Sequence, residues 1–158
     1  EAARNAEYQH MGTTLVCAVA RSDMAIIGNI GDSRAYHITP EGIFQISRDH
    51  SVVENMVAKG DLTPLEARTH PNRNLITRAL GPDIHAKADA FELPWHKDEF
   101  LLLCSDGLVN TVSDQEMLFE VLHDGDVNEC LDHLLQISLQ RGAPDNITAV
   151  LLLNEEGR

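Results

Sequence analysis

Three aspartates carry the chemistry that this sequence can do. Asp106 follows the apolar run Phe100 to Cys104 in "FLLLCSDGLVN". Asp32 follows a second apolar run in "AIIGNIGDSR", and Asp145 precedes a third in "APDNITAVLLL". Each sits beside Gly, Asn or Pro at the end of a β-prone run, where Asp and Gly weaken a continuing strand. Any one of them alone reads as a turn. If the three strands neighbour one another with suitable polarity, the carboxylates converge. Converging carboxylates repel and raise one another's pKa unless a cation neutralises them. Hard oxygen donors suit Mg²⁺, Mn²⁺ or Ca²⁺. The eight histidines (His10, His37, His50, His70, His85, His96, His123 and His133) are dispersed, with no i,i+4 pair. They are expected at surface or turn positions, and the pattern argues against zinc. Two readings stay open on these residues alone: three turns, or a divalent-metal site.

The elements that must position the aspartates follow from periodicity. "TTLVCAVA" (13–20) reads as a buried strand, and "MAIIGNIG" (24–31) as another after a polar "RSD" turn. "RAYHI" (34–38) and "IFQI" (43–46) flank a Pro/Gly turn and read as a hairpin. These four are expected to form one antiparallel meander. Residues 49–83 read as a partly helical insertion. "SVVENMVAKG" closes on Gly60, and "TPLEART" opens with a capping-box pattern, Thr63 to Glu66. Strands are expected again at 86–93 and 99–105. A helix follows from the N-cap Ser113 to before Gly125, then an amphipathic one over 127–142, then a strand over 146–153. Strands, helical insertion, strands, two helices and a strand argue for α+β, an antiparallel sheet covered by helices.

The 158 residues suit one domain, and 43% hydrophobic with 23% charged residues is ordinary globular composition. A net charge of -13 repels phosphate backbones, so no nucleic-acid partner is expected. It fits a soluble protein that collects cations. No run approaches ~18 apolar residues, so no membrane segment is expected. The polar start "EAARNAEYQH" carries no secretory signal. Cys17, Cys104 and Cys130 read as reduced, buried thiols of a cytoplasmic protein. Trp95 reads as a loop anchor.

Five stretches occur in one order: "MGTTLV", "GNIGDSRAY", "ISRDHSVVENMVAKGDLTPLEARTHPNRNLITRALG", "LLLCSDGLVNTVSDQEM" and "GAPDNITAVLL". In this they resemble metal-dependent Ser/Thr protein phosphatases of type 2C, bacterial branch, from about Met11 to Leu153. The resemblance implies two antiparallel sheets in a sandwich flanked by helices, with metals at one edge. It implies that Asp106 and Asp145 are ligands of a binuclear Mn²⁺ or Mg²⁺ centre, and that Asp32 shares a third, weaker metal with Asp106. It implies a flap at about 48–81 beside the site, and phosphorylated protein substrates of a bacterial Ser/Thr kinase. The implied chemistry is phosphomonoester hydrolysis. The family's N-terminal motifs do not occur: a phosphate-gripping Arg, an Asn-Glu-Asp stretch and Asp-Gly-x-Gly-Gly-His. The chain therefore resembles the C-terminal two-thirds of such a domain, is expected to be incomplete at its N-terminus, and is expected to turn over little by itself. A regulatory or binding module without turnover is the alternative. Arg34, just after the Asp32 turn, is expected in a structural ion pair rather than as a substitute phosphate clamp.

Overall fold

A computed structural model describes residues 6–8, 11–83, 85–123 and 126–156. His10 and the expected helix stop Gly125 lie outside them. The described strands are β1 (Leu15–Ala20), β2 (Met24–Ile30), β3 (Arg34–Thr39), β4 (Gly42–Gln45), β5 (Asp89–Pro94), β6 (Phe100–Cys104) and β7 (Ala149–Leu153). The helices are α1 (Val52–Lys59), α2 (Pro64–Thr69), α3 (Asp106–Val109), α4 (Asp114–His123) and α5 (Val127–Gln140). All strand pairs are antiparallel and fall in two sheets, β1-β2-β5 and β4-β3-β6-β7. The α+β reading with antiparallel sheets holds.

The single meander does not. The two hairpins, β1-β2 and β3-β4, form as expected, but the chain leaves one sheet after β2 and enters the other at β3. The change of direction occurs at Gly31, whose φ of 108° is strained for any residue with a Cβ. Asp32 therefore sits where the two sheets part.

The four-stranded sheet is packed on both faces. Tyr36 and Ile38 of β3, Leu102 and Cys104 of β6 and Leu151 of β7 face Leu108, Met117, Val121 and Leu134 of the helices. The alternate residues Ala35 and Leu101, with partly buried Leu103 and Leu152, face Ala25 and Ile27 of β2, Leu93 of β5 and Trp95. Burying each large apolar side chain is worth about 1.5–3 kcal/mol, and β6 buries them on both sides. That is why it reads as a continuous apolar run rather than an alternating one. Trp95 donates its backbone N–H to Asp23 O at 3.2 Å and anchors the end of β5 to the β1-β2 turn.

The outer face of the three-stranded sheet differs. Leu15, Cys17 and Val19 of β1 and Met24 and Ile26 of β2 are exposed, Val19 at 66%. The expected buried strand at 13–20 is thus an edge strand with one apolar face uncovered among the described residues. Cys17, expected to be buried, lies on that face, while Cys104 and Cys130 are buried; all three thiols are free. Burial pushes the Cys104 thiol up to about 12.

The caps follow the sequence. Ser51 accepts from the Glu54 N–H to open α1, and Gly60 closes it in the left-handed region, φ 81°. Thr63 and Glu66 form the reciprocal capping box of α2. Ser113 and Glu116 make the same exchange before α4. Two strands begin three residues later than the alternation suggests, at Asp89 and Ala149, because the residues before them pack as irregular segments. No described helix is long and apolar enough to cross a membrane.

Candidate metal centre

Asp106 does not simply terminate β6. Ser105 occupies the N-cap position of a four-residue helix, α3, which the sequence reading missed because four residues carry no periodicity. The Ser105 hydroxyl does not cap that helix. It accepts from the Thr148 N–H at 3.0 Å and donates to Asn146 O at 3.3 Å, while the Ser105 N–H donates to Thr148 O at 3.0 Å. The start of α3 is thereby clamped to the lead-in of β7. Gly107 lies so close to that lead-in that a Cβ would overlap the Asn146 carbonyl. This answers why glycine follows Asp106: only a residue without a side chain admits the approach. The same clamp carries Asp145, one residue before Asn146, towards Asp106.

Asp32 arrives from the other sheet. Gly31 turns against Thr14, whose side chain a Cβ would overlap. Thr14 Oγ1 and Ser33 Oγ are hydrogen-bonded at 2.8 Å, which fixes the far side of the turn. Arg34 then grips Asp49 with Nε at 3.0 Å and Nη2 at 2.8 Å, and its Nη1 donates to the Tyr36 hydroxyl at 3.1 Å. Burial disfavours the Arg34 charge, but the hydrogen bonds and charges of Asp49 and Tyr36 together outweigh it and raise the guanidinium pKa. Arg34 is thus an ion-pair partner, as its position suggested, and not a free phosphate clamp. Arg48 pairs with Glu54 at 3.2 Å.

Asp106 lies within electrostatic reach of both other aspartates. Burial first, and repulsion from Asp145 second, raise the Asp106 pKa. Burial first, and repulsion from Asp106 second, raise that of Asp32. Asp106 is therefore the shared member of both pairs. Asp32 and Asp106 are half-buried and line one cavity of ≈ 600 Å³, which residues of α1 and α2, Arg68 among them, and Arg73 also line. Asp145 is exposed and stands outside that cavity's lining. Among the described residues no group of three or more His, Cys, Asp or Glu side chains is disposed to hold a metal ion. The donor chemistry nevertheless fits a hard divalent cation. Burial and a neighbouring carboxylate oppose the ionisation of Asp32 and of Asp106, and a bound cation would relieve both.

Sequence reasoning missed His50. Expected at a surface or turn position, it is 5% exposed and bonded to the backbone of Gly31 and to Asp89. No local pattern announces this, because its partners lie 19 and 39 residues away. His37 and His96 both meet Glu99, at 2.8 and 3.2 Å, far from the aspartates in the fold.

Comparison with known proteins fits this arrangement. The model of the family described as Protein phosphatase 2C matches residues 1–151. The "Serine/threonine phosphatase stp" of Listeria monocytogenes is 36% identical over 151 residues, 94% of this chain and 60% of that protein. A serine/threonine phosphatase of Staphylococcus aureus superposes with a TM-score of 0.91 at 42% identity, covering 96% of this chain and 60% of the other. The catalytic domain of the phosphatase PstP in complex with two manganese ions superposes with a TM-score of 0.80 at 34% identity, covering 90% of this chain and 59% of the other. The chain spans about 60% of the length of these relatives.

Proposed function

Because the chain belongs to the protein phosphatase 2C family, we propose that it is the metal-binding part of a catalytic domain that hydrolyses phosphoserine and phosphothreonine in proteins. Residues 1–158 form that part, and residues 48–81 its flap. The observation that carries the reading is that Asp32 and Asp106 line one cavity, with the Asp145 charge close enough to Asp106 to oppose its ionisation. Asp106 and Asp145 hold ions of a binuclear Mn²⁺ or Mg²⁺ centre, and Asp32 with Asp106 a third. When bound, the metals supply an activated water and stabilise charge on the phosphoryl oxygens. The chain's own residues do the rest. Ser105 and Gly107 hold Asp106 against the β7 lead-in. Arg34 and Asp49 brace the Asp32 turn. Residues of α1 and α2 line the same cavity as Asp32 and Asp106. The substrates are phosphoproteins made by a Ser/Thr kinase, and the reaction belongs to cytoplasmic signalling.

Two or three carboxylates supply only part of the roughly six oxygen ligands that such ions take. This chain alone therefore binds Mn²⁺ weakly and turns over slowly. The test is hydrolysis of p-nitrophenyl phosphate and of a phosphothreonine peptide with Mn²⁺, by this chain and by a relative-length protein containing it. The longer protein is expected to be active, and Asp106→Asn to abolish that activity. An inactive longer protein that binds phosphoprotein would favour the regulatory or binding module instead.

A further inference from the structure

His50 is a buried polar side chain that the proposed chemistry does not use. Its side chain is 4% exposed. The Gly31 N–H donates to Nδ1 at 3.1 Å, so Nδ1 carries the lone pair and the ring proton sits on Nε2. Nε2 then donates to Asp89 Oδ2 at 3.0 Å. Arg78 Nη1 lies 3.2 Å from Nε2, but both are donors, and its bond goes to Asp89 Oδ1 at 2.9 Å. The His50 N–H donates to Gly31 O at 2.8 Å. Both backbone polar groups of Gly31 are therefore taken by one residue, and Gly31 is the left-handed residue that aims Asp32.

The same residue is where the two stems of segment 49–80 meet. Thr77 N–H donates to His50 O at 2.7 Å, and Val52 N–H donates to Leu75 O at 2.9 Å beside it. Asn29 Nδ2 reinforces the entry stem through Arg48 O at 3.0 Å. A histidine that merely filled a gap would have no need to spend both ring nitrogens on the other sheet.

We infer that His50 is a positioning residue, fixing Asp32 against Asp106 and coupling both stems of segment 49–80 to the carboxylate pair. The inference deepens the proposed metal-centre reading and rests on it. It distinguishes the two ring nitrogens. Asparagine places an amide oxygen near Nδ1 and keeps the acceptor for Gly31. Glutamine places an amide nitrogen near Nε2 and keeps only the donor to Asp89.

The experiment compares His50→Asn, His50→Gln and Asp89→Asn in this chain, with two readouts. Crystal structures of the metal-free variants give the separation of the Asp32 and Asp106 carboxyl carbons. Amide hydrogen exchange at Val52 and Thr77 reports the two stems. His50→Gln is expected to move Asp32 away from Asp106 and to speed exchange at Val52 and Thr77. His50→Asn and Asp89→Asn are expected to retain the separation and the slow exchange, although all three lower the melting temperature. A His50→Gln variant with Asp32 in place and exchange unchanged overturns the inference, as does equal displacement in His50→Asn and His50→Gln. Calorimetric titration of the unsubstituted chain with Mn²⁺ tests the metal reading separately: if no Mn²⁺ binds, that reading fails, and the metal-free structures still decide the role of His50.

Discussion

Asp106 and Asp32 line the same cavity, yet they are held by different means. Asp106 is fixed within one sheet: β6 delivers it, and Ser105 and Gly107 lock it to the start of β7, the neighbouring strand. Asp32 sits at the crossing between two sheets, and its turn is held by residues from elsewhere: Thr14, His50 and, through Arg34, Asp49. The first carboxylate depends on close backbone packing, and the second on polar side chains from separate parts of the chain, two of them at the start of the largely exposed segment 49–80. Packing interactions of the first kind are cooperative with the core. Those of the second kind open locally, at free energies below global unfolding. The Asp106 end should therefore behave as a rigid half-site and the Asp32 end as an adjustable one.

The comparison is broken most severely at Gly107. In Gly107→Ala the added methyl meets backbone, which cannot rotate away, so overpacking should cost about 3 kcal/mol. Urea denaturation measures this, and a cost below ~1 kcal/mol would mean that the clamp is looser than described. Arg34→Met comes next. It leaves Asp49, whose side chain is 12% exposed, without its cation. Partial exposure tempers the penalty of an unpaired buried charge to about 2 kcal/mol. The loss should concentrate at the Asp32 end, seen as faster amide exchange at residues 31–34 than at 104–107. Ser105→Ala removes two side-chain hydrogen bonds from the rigid end and should cost about 1 kcal/mol.

The smallest change has the opposite sign. Burial and neighbouring charge raise the Asp106 pKa, so the folded protein binds that proton more tightly than the unfolded chain does. Ionised Asp106 thus opposes folding at neutral pH, and the opposition fades as pH falls through the raised value towards the ordinary carboxylate range. Asp106→Asn should raise the melting temperature of the metal-free protein at pH 7, with the gain shrinking in acid. A melting temperature lowered at pH 7 and unchanged by acid would show that the carboxylate is structural.

Much of this was legible in the sequence. Apolar runs marked the strands, and Thr63, Ser113 and Gly60 marked helix ends, because caps are local chemistry written in adjacent residues. The three strand-end aspartates were visible for the same reason. The division into two sheets was not, since hairpin signals specify pairing within β1-β2 and β3-β4 and nothing about the link at Gly31. The exposed side of β1 was misread because an apolar run has the same composition whether one face or two are covered. His50 and the Ser105 clamp were invisible: each joins residues 19 to 43 positions apart, and no periodicity encodes such a pairing.

If Asp106 is shared between two carboxylate pairs, its loss should matter more to metal binding than the loss of either neighbour. Calorimetric titration with Mn²⁺ of the chain and of Asp106→Asn, Asp145→Asn and Asp32→Asn measures this. Weak binding is expected in the unsubstituted chain, abolished in Asp106→Asn, strongly reduced in Asp145→Asn and less reduced in Asp32→Asn. Mn²⁺ binding left unchanged in Asp106→Asn would rule out a shared role for that carboxylate.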